Sequence, residues 1–141
     1  MATRTIDSPL IDIGLLIGRI MLALIFVMSG WGKLMGLSGF EQNLTNMGVP
    51  QPHIMAIVGA AVEFGGGALI ILGLGTRIVA LIMLVFVCVA TYLAHQYWTY
   101  PPDQQMMQYI NFWKNVAIAG GYITLAAAGA GRISVDGARQ N

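Results

Sequence analysis

The chain has 141 residues, of which 57% are hydrophobic and 9% charged, with a formal net charge of +1. Soluble domains carry about a quarter charged residues, so water is not its main solvent, and the near-neutral balance gives no ground for nucleic-acid binding. The lone Cys88 excludes an intramolecular disulfide or a CxxC redox pair.

The pattern predicts an all-α polytopic membrane protein, a bundle of four transmembrane helices forming one domain over residues 1–141. The first span, about 10–34, opens after Ser8 as a candidate N-cap and Pro9 in the first turn. Arg4 ahead of an apolar run matches the start of a secretory signal. Asp7, Asp12 and Arg19 interrupt that run and no small-x-small cleavage site follows, so the segment is expected to remain. Steps of seven from Asp12 reach Arg19, Phe26 and Lys33, with Gly30 on the same stripe, making one face polar at three levels. The pairs Gly14/Gly18 and Gly32/Gly36 have the spacing of close helix contacts, including those of a homo-oligomer.

The second span, about 53–74, follows the helix-breaking VPQP and closes at Gly73 and Gly75. It contains GAAVEFGGGALIILGLG, in which Glu63 is the single charge. Ala56, Gly59, Ala60, Gly66 and Gly67 share its helix face, so a neighbouring helix can approach closely there. The third span, about 76–97, follows almost at once and must form an antiparallel hairpin with the second. Ile78 to Pro102 holds no Asp, Glu, Lys or Arg, longer than the roughly 20 residues that cross a bilayer. Its polar strip is Cys88, Thr91 and His95. The fourth span, about 107–130, follows YPPD and aligns Asn111, Lys114, Ile118 and Gly121. Segments 1–9 and 131–141 are left as tails.

Arg4, Arg77, Arg132 and Arg139 fall on one side of this topology, which places both termini in the cytoplasm. Trp31, Trp98 and Trp113 fall at the opposite, outer end, with Tyr92 nearby. That cluster is either an interfacial aromatic belt or the wall of a site.

At about 1.5 Å per residue, Arg19 lies roughly 12 Å in from the cytoplasmic side and Glu63 roughly 14 Å in from the outer side of a core about 30 Å thick. Lys114 lies roughly 9 Å in from the outer side. The expectation is that Glu63 neutralises Arg19, Lys114 or both, because an unpaired charge in hydrocarbon costs ~2.5–3.5 kcal/mol or more. Arg19, Lys33, Glu63, His95, Asn111 and Lys114 together form a candidate intramembrane polar cluster. It reads either as a device that fixes helix register or as a ligand or proton site. His53, His95 and the nine methionines offer metal ligands without a metal-site spacing, so no metal is expected.

The series SGWGKL at Ser29–Leu34, EFGGGALIILGLGTR at Glu63–Arg77 and GAGRISVD at Gly129–Asp136 resembles the DoxX family, over about Ile13 to Asp136. Ala130 stands where relatives often carry proline between two glycines. The resemblance implies a four-helix bundle in a bacterial or archaeal plasma membrane. It also implies a link to redox chemistry, since relatives include a membrane subunit of an archaeal thiosulfate:quinone oxidoreductase and a mycobacterial partner of soluble stress enzymes.

Three readings of function follow. The first is a quinone-interacting redox subunit, in which Lys33, Lys114 or His95 faces the quinone carbonyls and Glu63 or His95 relays protons. The second is a membrane scaffold that docks soluble redox or stress enzymes. The third is a small carrier for protons or an organic ion. No cofactor ligands are evident, and a quinone is the cofactor to test for.

Overall fold

The computed structural model describes residues 9–139. Arg4, Asp7 and the proposed N-cap Ser8 lie outside the described residues. The fold is all-helical there: α1 Pro9–Met35, α2 Leu37–Asn46, α3 Pro52–Leu72, α4 Thr76–Ala94, α5 Pro102–Ala128 and α6 Val135–Ala138, with a 3-10 turn at Tyr97–Thr99. Among the described residues, three segments are long and apolar enough to cross a membrane, Pro9–Met35, Pro52–Leu72 and Thr76–Thr99. At 27 residues α5 equals α1 in length. It is less apolar, because Gln104, Gln105, Gln108, Asn111, Lys114 and Asn115 crowd its first half.

Backbone punctuation explains the boundaries. Gly73 and Gly75 adopt φ of 68° and 61°, which side-chain-bearing residues rarely take, and so close α3 and open α4 within three residues. Gly129 and Gly131, at φ of 83° and 78°, stop α5 after Ala128 without a proline between them. Pro52 and Pro102 start α3 and α5, so α5 begins five residues before the expected boundary.

The segment after α1 is not a plain loop. Leu37, Phe40 and Leu44 share one side of a ten-residue helix, α2, which lays Leu44 into the interior and the Phe40 ring against Gly59 of α3.

The helices alternate in direction. Gly30 approaches Phe64, Val27 approaches Gly67, and Gly66 faces Met83, which fixes α1 against α3 and α3 against α4 as antiparallel pairs. Thr91 meets Asn115 at one level of the α4–α5 pair, and Arg77 meets Ala126 at another. The core is Ala23, Phe26, Ile70, Ala80, Met83, Val87, Tyr122 and Leu125. Large apolar side chains such as Leu10, Met21, Ile78 and Val85 point outward, the distribution expected when the surrounding solvent is lipid. The start of α1, the turn Gly73–Gly75 and the end of α5 share one end of the bundle, the arginine end. Trp31, Trp98 and Trp113 mark the other, the aromatic end.

Candidate functional site

The inward faces of α1 and α3 match the sequence stripes. Arg19, Phe26 and Gly30 of α1 are buried, as are Ala56, Ala60, Glu63 and Gly67 of α3. A Cβ on Gly30 would lie 2.5–2.9 Å from Phe64 atoms, so only glycine permits this helix separation. Lys33, just beyond Gly30 toward the aromatic end, is thereby brought onto Glu63, and the ammonium donates to carboxylate oxygen Oε2. The Glu63 side chain is 5% exposed and that of Lys33 31%, so the carboxylate is withdrawn and the amine keeps a way out. Phe40 of α2 lies with its ring centroid 4.9 Å from the ammonium, a cation–π contact that holds the lysine over the pair. Trp31 and Phe64 stack tilted at 5.8 Å beside it.

This overturns the expected pairing of Glu63 with Arg19 or Lys114. Arg19 is buried at the arginine end, where its guanidinium donates to the carbonyls of Ile71 (3.2 Å), Ala130 and Ile133 (2.5 Å). Ile71 belongs to the last turn of α3, eight residues beyond Glu63, or about 12 Å along the helix. The depth estimate placed the two at one height because it took each helix end as a membrane edge. In the fold α1 runs past the end of α3. Arg19 therefore satisfies carbonyls at a helix C-terminus, where a cation is favoured. Lys114 is exposed and donates to Asn111 on its own helix. The polar strip of α5 thus does not turn inward at Lys114, nor that of α4 at Cys88, which is also exposed.

His95 lies just past α4, and its Nδ1 is 2.7 Å from the Gln108 side-chain oxygen. The six residues of the predicted polar cluster accordingly divide into the pair Lys33–Glu63, the isolated Arg19, the contact of His95 with Gln108 and the pair Asn111–Lys114. The aromatic cluster divides too. Trp98 and Trp113 both pack on Phe112, with Tyr97 and Tyr109 completing an edge-to-face group at 5.1–6.3 Å. Trp31 instead pairs with Phe64 of α3, and Tyr92 is exposed.

A second polar layer at the arginine end was missed by sequence reasoning. Asp136 accepts from the backbone N–H groups of Gly75 and Thr76, both at 2.8 Å, capping α4 from a distant segment. Burial pushes its carboxyl up, but these two N–H bonds and the charge of Arg139 outweigh that and hold it below the usual carboxylate range. Asp12 accepts from the N–H of Arg132 at 2.8 Å. Arg77 donates to the carbonyls of Ala126 (2.8 Å) and Ala127 (2.5 Å) at the end of α5. The available signal was GRISVD, a short polar stretch after a glycine stop that can fold back on helix ends.

The family model described as DoxX matches residues 14–96. The chain is 39% identical to the Inner membrane protein YphA of Escherichia coli (strain K12), over 86% of this chain and 87% of that protein. It is 35% identical to the Inner membrane protein YqjF of the same strain, over 89% and 91%. A Bacillus subtilis (strain 168) protein named "Putative oxidoreductase CatD" is 39% identical over 50% of this chain and 52% of its own length. No solved structure matches the chain.

Proposed function

Given that the chain belongs to the DoxX family and is a multi-pass bacterial membrane protein, we propose that it binds a lipid-soluble quinone beside the Lys33–Glu63 pair, as the membrane subunit of a redox complex. In this reading α5 is the fourth span, completing a four-helix bundle, and both termini face the cytoplasm, where soluble redox enzymes would dock and supply electrons.

The observation that carries the proposal is the asymmetry of the pair. The carboxylate is buried, whereas the amine is 31% exposed and within reach of a molecule at the bundle surface. An ammonium at the edge of the bundle can donate to a quinone carbonyl while Glu63 holds or returns a proton. Trp31, Phe64 and Phe40 supply ring faces next to it. The oxidoreductase in the name of the Bacillus subtilis relative supports the same direction.

Extraction in a lipid-preserving polymer followed by mass spectrometry tests it. The expected result is a co-purified quinone that is lost in Lys33→Met and retained in Lys114→Met. Absence of quinone together with a stoichiometric soluble enzyme would replace this reading with that of a scaffold. Absence of both would leave the carrier.

A further inference from the structure

A cavity of about 350 Å³ opens at the arginine end, lined by Pro9, Asp12 and Ile13 of α1 and by Arg132 and Ile133 of the segment between α5 and α6. Its volume falls at the lower end of the roughly 300–1,000 Å³ of small-molecule sites. The walls are held in place by bonds already described. Asp12 accepts from the Arg132 N–H through Oδ1, and the buried Arg19 donates to the carbonyls of Ala130 and Ile133 in the same segment.

The two charges that line this cavity are not spent on each other. Among the described residues, neither Oδ2 of Asp12 nor the Arg132 guanidinium has a hydrogen-bond or ion-pair partner. Arg132 is exposed and Asp12 half-buried, so both are open to a molecule seated there. The carboxylate repels a lone anion and the guanidinium a lone cation, so the complement of the site is a molecule with a negative and a positive group close together. Pro9, Ile13 and Ile133 add apolar wall. Steps of four from Ile13 lead along α1 to Ile17 and Met21, all three exposed, an apolar track running from the cavity into the lipid.

We infer that this cavity binds the headgroup of a phospholipid bearing a primary ammonium, of the phosphatidylethanolamine class. The phosphate oxygens accept from the Arg132 guanidinium, whose planar fork suits them. The ammonium donates to the free oxygen of Asp12, and the acyl chains lie along Ile13, Ile17 and Met21. Its N–H donors distinguish this headgroup from choline, which has the same charge and none. Asp12 likewise selects against phosphatidylglycerol, whose headgroup brings a negative charge without a positive one. The inference needs only that α1 spans the membrane, and it stands whether or not a quinone binds at Lys33.

Native mass spectrometry of the full chain from nanodiscs holding equal parts of phosphatidylethanolamine, phosphatidylcholine and phosphatidylglycerol is the test. Nanodiscs offer both leaflets alike, so the orientation of the arginine end in cells does not enter. The expected result is one retained phosphatidylethanolamine per protein, favoured over phosphatidylcholine by about tenfold, the worth of one charge-assisted hydrogen bond. Asp12→Asn keeps an acceptor for the Arg132 N–H but removes the charge, and should bring that ratio to roughly one. Arg132→Gln should lower retention of both lipids by about tenfold and leave their ratio unchanged. No retained lipid, equal retention of all three, preference for phosphatidylglycerol, or an unchanged ratio in Asp12→Asn overturns the inference. Displacement of the lipid by millimolar glycerophosphoethanolamine also overturns it, because a soluble headgroup would then be the ligand. If a variant fails to fold, N-methylated ethanolamine lipids decide on the unmutated protein. Binding should persist through the dimethyl form, which keeps one N–H, and fall at the trimethyl form; no fall there overturns the inference.

Discussion

Lys33 and Glu63, thirty positions apart, meet because Gly30 lets α1 touch the backbone of α3 at Phe64. The pair is unequal in burial, so its two halves should respond unequally to mutation. Lys33→Met strands a carboxylate in the interior and should cost about 3–5 kcal/mol. Glu63→Gln leaves a lysine that can reach the interface, and should cost about 1 kcal/mol. Unfolding in mixed micelles measures both. A double-mutant cycle should give a clear coupling for Lys33 with Glu63, and none for Arg19 with Glu63. Equal losses for the two single variants would contradict the burial asymmetry.

Arg19 should tolerate no amine in its place. Its planar fork reaches carbonyls from Ile71, Ala130 and Ile133 at once, and a lysine offers a single point of donation. Arg19→Lys should therefore destabilise by about 2–3 kcal/mol, since at least one buried carbonyl loses its partner. The same unfolding assay reads the loss, and protease sensitivity of the tail 129–139 should rise with it. A variant as stable as the parent would mean that the guanidinium contacts contribute little.

The two α1 glycines Gly30 and Gly32 separate packing from helix propensity. Gly30→Ala must push α1 from α3 and should cost about 1–3 kcal/mol. Nothing lies within 4 Å of a Cβ on Gly32, so Gly32→Ala should be neutral or mildly stabilising. Destabilisation by Gly32→Ala would instead reveal a partner helix on that face.

Asp136 makes stability depend on pH in a defined direction. Its carboxyl is held below the ordinary range in the fold, so its contribution is complete above the unfolded value, near 4. That contribution is lost as pH falls through the lower, folded value. The melting midpoint of the parent should drop as pH falls below about 4, and Asp136→Asn should flatten that part of the curve. An unchanged curve in the variant would assign the acid sensitivity elsewhere.

Topology can be read with thiol chemistry in a Cys88→Ser background. Cysteines at Gln42 and Gln104 should react with an impermeant reagent added to intact cells, and one at Gln140 should not. The reverse pattern would place the arginine end outside.

Hydropathy and helical period are properties of local sequence, and what depends on them was legible. The helical class, the spans of α1, α3 and α4, and the inward stripes of α1 and α3 follow from which solvent each face needs. The glycine pairs that end α3 and α5 were equally readable, because positive φ is a single-residue requirement. Helix α2 was legible only in hindsight, since Leu37, Phe40 and Leu44 make a stripe too short to stand out beside long apolar spans. Charge pairing was decided by tertiary structure. How far one helix slides past another is set by packing at points such as Gly30 against Phe64, and a shift of two turns moves a cation from a carboxylate to a row of carbonyls. That offset gave Glu63 to Lys33, sent Arg19 to the end of α3, and left Lys114 outside, none of which the linear order of residues contains.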